Sequence, residues 1–111
     1  MIVRIDTRRL VDEAHLHHVL NEAFGFPESY GANMDALIDC LTYLDDPGSG
    51  MTRIQVFPGQ VVLLVLEHVA HLQGLPEMLR RTLEDAVAFV NGRRLEHNQP
   101  PVLAIAHDLR D

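Results

Sequence analysis

Asp35, Asp39, Thr42 and Asp46 recur at intervals of four, three and four residues. On a helix turning about 100° per residue, those intervals place all four on one side, as an acidic ridge. Met34, Leu37, Leu41 and Leu44 recur at three, four and three, forming an apolar stripe about a third of a turn away, with Ile38 at the seam. Such a ridge makes and breaks no bonds. A carboxylate held on a formed helix accepts paired hydrogen bonds from arginine much as a phosphate does, so the chemistry on offer is recognition of a cationic surface. Asp35, in the first turn, is stabilised by the helix dipole by about 0.3–1 kcal/mol. Asp39 lies a full turn later, gains little from the dipole, and is repelled by Asp35 by about 0.2–0.5 kcal/mol. It does nothing evident for its own helix. An ordinary solvated face and a binding surface both fit the spacing alone.

Three other groupings have chemistry-bearing side chains. His15, His18 and Glu22 share a helix face and could ligate a metal, although no HExxH pattern accompanies them. Glu67, His68 and His71 follow an apolar run, at the end of a strand where ligand sites form in parallel sheets; turn and capping roles fit them as well. Cys40 follows Asp39 on the side of the helix away from the ridge, with no basic neighbour to activate it, and reads as a buried thiol.

The elements that must position these residues are legible in outline. Residues 2–5 are β-rich. Asp12 caps a helix running to about Phe24, stopped by Gly25 in the left-handed conformation. Phe26-Pro27 forces an extended or turned chain. Asn33 caps a second helix over roughly 34–45, ended by the breaker Asp45-Asp46-Pro47-Gly48-Ser49-Gly50. Residues 53–57 suit a short edge strand. Residues 61–66 form a continuous apolar run, expected of a strand buried on both faces. A helical turn fits 67–72. Pro76 stands in the first turn of a long helix reaching Phe89 or beyond, and residues 102–106 form the last strand. Strands alternating with helices predict an α/β fold: a small parallel sheet with helices packed on it. Repeats, low-complexity tracts and dividing linkers are absent, so one domain over 1–111 is expected.

Composition narrows the function. Of 16 acidic residues, five (Glu28, Asp35, Asp39, Asp45 and Asp46) fall in one stretch without a basic residue, and the net charge of −7 leaves the rest of the chain at −2. That balance argues against direct nucleic-acid binding, which needs cations to neutralise phosphate. It favours a basic partner and fast, salt-sensitive association. A lone cysteine forms no internal disulfide, the first residues hold no long apolar segment, and the longest apolar run is too short for a bilayer. A cytoplasmic protein without a membrane span is expected.

The run Pro27-Glu28, Tyr30-Gly31, Asn33, Asp35-Ala36-Leu37 and Asp39-Cys40-Leu41-Thr42 resembles the barstar family of intracellular ribonuclease inhibitors. The resemblance implies a three-stranded parallel sheet flanked by helices and an inhibitor of immunity or antitoxin type, not an enzyme and with no cofactor. It implies a basic ribonuclease as partner, its active site plugged by the acidic helix and the loop before it. Carried over residue by residue, Asp39 is the central anchor and Asp35 its neighbour, and Gly31 and Asn33 shape the loop; Ser29, Ile38 and Thr42, with Asp46 added from the spacing of the ridge, are expected to complete the contact surface. Ser29 and Ile38 stand where the family usually has aromatic residues, and spacing puts the family's third acidic contact near Asn91, which is neutral. The cognate enzyme is therefore expected to differ from distant ribonucleases. Two alternatives remain: a regulatory module for a basic protein that is not a nuclease, and a small metal-dependent hydrolase.

Overall fold

A computed structural model describes residues 1–110. Three strands, β1 (Ile2–Asp6), β2 (Val62–Glu67) and β3 (Leu103–His107), pair in parallel in the order β1-β2-β3. Three helices, α1 (Glu13–Phe24), α2 (Met34–Thr42) and α3 (Gly74–Glu96), fill the connections. The α/β architecture is the one read from the sequence.

Strand order explains where the core sits. Parallel crossovers are right-handed. An order that never reverses direction therefore puts both crossovers on the same side of the sheet. Val3, Ile5, Val62, Leu64, Leu66 and Leu103 point to that side and are buried. Leu16, Leu20 and Phe24 of α1, Leu37 and Leu41 of α2, and Leu83, Val87 and Val90 of α3 close over them. The opposite face carries Ile2, Arg4 and Ala104, all exposed, and Leu63 and Val65, partly buried. The central run is thus not buried on both faces as expected; it alternates, because no helix covers the second face.

Other boundaries also moved. The second helix ends at Thr42, not near 45. Tyr43 caps it with a turn, and the chain leaves through the 3₁₀ turn Pro47–Ser49. Residues 53–57 form no strand. Their backbone is held instead by isolated bonds, from Arg53 N–H to Phe24 O (2.9 Å) and from Val56 N–H to Leu44 O (3.0 Å). Gly25, at φ +70°, makes the first of these possible: a Cβ there would lie 2.5 Å from Arg53 Nε. The expected helical turn over 67–72 is shorter: Glu67 ends β2, His68 bends at φ +61°, and a single turn follows over residues 69–72, where Leu72 N–H donates to Val69 O at 3.3 Å. Thr7 Oγ1 donates to Glu67 O at 2.6 Å and His68 O at 3.2 Å, securing that left-handed residue.

Candidate functional site

The acidic helix is positioned from both ends. At its start Asn33 Oδ1 accepts from Ala36 N–H at 2.8 Å, and Asn33 O accepts from Leu37 N–H at 3.0 Å. Beside this cap, a Cβ on residue Gly31 would meet Asn33 Nδ2 at 3.0 Å and crowd the capping side chain. Ala32 turns the chain into the helix at φ +50°. The loop is pinned from below by Tyr30, whose ring lies 4.5 Å from that of Phe26 and whose hydroxyl lies 2.5 Å from His17 Nδ1 on α1. Among the described residues His17 Nε2 is buried without a hydrogen-bond partner. Burial holds the imidazole below its usual range. Burial likewise pushes the Tyr30 phenol up.

At its far end α2 is fastened by Arg94, which lies on the buried stripe of α3 and is 2% exposed. Its guanidinium donates to Thr42 O (2.7 Å), Pro100 O (2.8 Å) and both carboxylate oxygens of Asp45 (3.1 and 2.6 Å).

The ridge that results is shorter than the spacing implied. Asp35 is exposed, and among the described residues it has no hydrogen bond or ion pair. Asp39 is 56% exposed, with Arg93 Nη1 of α3 3.5 Å away. Ile38 is partly buried at the seam, as expected. Thr42 departs from expectation: it is buried, and its hydroxyl donates to Ile38 O at 2.6 Å. The helix packs more of its circumference against α3 than a narrow stripe would, and the third position of the ridge is taken inward. Asp46 is exposed but stands beyond the helix end, so it flanks the row. Glu28, Ser29, Gly31 and Asn33 are exposed on the preceding loop, so loop and row share one accessible surface. Asp45 faces Arg94, not solvent.

The remaining groupings resolve differently. His15 pairs with Asp12 (2.6 Å) and His18 with Glu22 (2.9 Å). Among the described residues no group of three or more His, Cys, Asp or Glu side chains is placed to hold a metal ion. Cys40 is buried, and burial, with Asp39 adding, pushes its thiol up and away from the nucleophilic thiolate. Asn91 lies turned to the sheet: its Nδ2 donates to Leu103 O (2.8 Å), and its Oδ1 accepts from Val102 N–H (3.0 Å) and Leu103 N–H (3.3 Å). Glu84 is held by Arg80 and His107. Neither residue supplies an acid beside α2. No helix of the described residues is long and apolar enough to cross a membrane.

The model of one protein family, described as Barstar (barnase inhibitor), matches residues 1–103. The chain belongs to the barstar family. The match takes in all three helices and the start of β3, so the fold and the acidic helix lie within it. Members of the barstar family are inhibitors rather than enzymes. No curated protein matches the chain.

Two neighbours of the acidic helix escaped the sequence reading. Arg93 and Arg94 read as ordinary basic residues in the last turn of a helix. Arg94 left a signal: it continues the apolar series Leu83, Val87, Val90 at helical spacing, and a cation on an apolar stripe needs a buried partner. Arg93 left none, because its neighbour Asp39 is 54 residues away in sequence.

Proposed function

We propose that this protein inhibits a basic ribonuclease by docking α2 and the loop before it into the cleft that holds RNA phosphate. Asp39 takes the central arginine or lysine of that cleft and Asp35 a second cation beside it. Ser29, Gly31 and Asn33 meet the enzyme along the loop, Ile38 supplies an apolar contact at the seam, and Asp46 adds field at the rim. Thr42 contributes by bracing the last turn of the helix from inside. One observation carries this reading: in a chain of the barstar family, Asp35 and Asp39 stand exposed on one face of a helix capped at its start and clamped at its end. Because the helix is already formed, docking costs little ordering.

The test is inhibition of RNA cleavage, with calorimetry, against ribonuclease toxins from the same source. Asp39→Ala is expected to weaken binding by about 2 kcal/mol or more, the level of an interface hot spot. Asp108→Ala, on a carboxylate paired with Arg110 near the chain end, is the matched control. Equal losses in the two variants remove Asp39 from the interface. Binding without loss of RNA cleavage transfers the protein to a non-nuclease partner.

A further inference from the structure

A groove of about 260 Å³ runs between α2 and α3, lined by Thr42, Tyr43, Arg93, Arg94, His97 and Gln99. No carboxylate lines it. The Arg94 guanidinium is already engaged with Asp45, Thr42 and Pro100. Arg93 is not so engaged. Among the described residues its one ion pair, to Asp39, spans 3.5 Å, against about 2.7–2.9 Å for a well-made charge-assisted bond. It is 44% exposed at the groove mouth, and His97 is set beside it by a 2.9 Å bond between Nδ1 and Arg93 O.

Arg93 also borders the proposed contact surface, with its Nη1 3.5 Å from Asp39 Oδ1. A nine-residue helix is only about 14 Å long, whereas a stable interface covers about 800 Å² on each partner. Contact centred on Asp39 therefore extends past α2, and on the α3 side Arg93 is the residue that stands next to Asp39. A surface that is basic throughout would there set cation against cation. Both charges are accommodated only if the partner alternates sign.

We propose that this groove receives a carboxylate of the partner protein, so that Arg93 leaves Asp39 for that carboxylate while Asp39 passes to a cation of the same partner. This rests on the ribonuclease-inhibitor reading and sharpens it: the cognate enzyme has an acidic side chain bordering its basic cleft, and Arg93 selects for it.

The sign of one charge reversal decides the matter. Calorimetry with the ribonuclease that the wild-type protein inhibits would compare Arg93→Ala, Arg93→Glu and Asp39→Ala. Arg93→Ala is expected to bind about 10-fold more weakly and Arg93→Glu about 100-fold more weakly, with melting temperatures close to wild type. If Arg93 merely screens Asp39 from a basic surface, Arg93→Glu binds as tightly as wild type or more tightly, and the proposal fails while the role of Asp39 stands. Should Arg93→Glu fold poorly, Arg93→Gln replaces it, with 10-fold weakening expected and unchanged or tighter binding overturning the proposal. If Asp39→Ala also binds as wild type does, the acidic-helix reading itself is lost.

Discussion

Arg94 and Asp45 form a two-bond ion pair in the interior, with Nη2–Oδ2 at 2.6 Å and Nη1–Oδ1 at 3.1 Å. The same guanidinium reaches Thr42 O and Pro100 O, so one side chain of α3 ties the end of α2 to the approach of β3. One carboxylate of the acidic segment is thereby withdrawn from the surface to hold the others in place.

Breaking that pair from one side leaves a desolvated charge behind. Arg94→Met is expected to cost about 3–5 kcal/mol. Combining it with Asp45→Leu should restore a large part of the loss, because the orphaned carboxylate is gone. Urea denaturation of both singles and the double variant measures this; strictly additive losses would mean that the two residues act independently.

Asn91 ought to matter for folding and not for binding. Asn91→Ala removes three bonds to the backbone of residues 102 and 103 and should destabilise by about 2 kcal/mol. Affinity for the ribonuclease, measured well below the melting temperature, should stay within about twofold of wild type. A large affinity loss would place Asn91 in the interface.

His17 should make stability pH-dependent in a defined direction. Its folded-state pKa lies below the ordinary 6.5, so between those two values the unfolded chain binds more protons than the folded one. Stability is then fully present above pH 6.5 and declines as pH falls from there to the folded-state pKa. Melting curves from pH 7.5 to 5 should fall less steeply for His17→Asn, which keeps a nitrogen near Tyr30 but does not titrate. Identical slopes would assign the acid sensitivity to other groups.

Association should depend on salt more than dissociation does. Asp35 and Asp39 are exposed, within reach of screening ions, and rim charges act chiefly on encounter. Stopped-flow measurements between about 0.05 and 0.5 M salt should show the association rate falling by a factor of ten or more, with a much smaller change in dissociation. A salt-independent association rate would exclude steering by the row.

How far the site could be read in advance is clearest at the two ends of α2. Asn33 as cap and Leu37, Leu41 and Leu44 as buried stripe follow from local rules, and the structure places them so. Thr42 and Asp45 do not. Each sits at a position that solvent or α3 could claim equally, and only the packing of α3 turned both inward. The β2 run misled for a similar reason: Leu63 and Val65 are apolar enough for burial, but covering them requires a helix on the second face.

The amino-acid sequence by itself determined the alternation of strands and helices that makes the fold α/β, the caps at Asp12 and Asn33, and the concentration of negative charge between residues 28 and 46. These depend on contacts a few residues apart, where spacing is geometry. Tertiary structure alone decided which of those charges face outward, and which arginine stands beside Asp39. Those choices join groups about fifty residues apart, and desolvation, which sets their energy, exists only once the helices have packed.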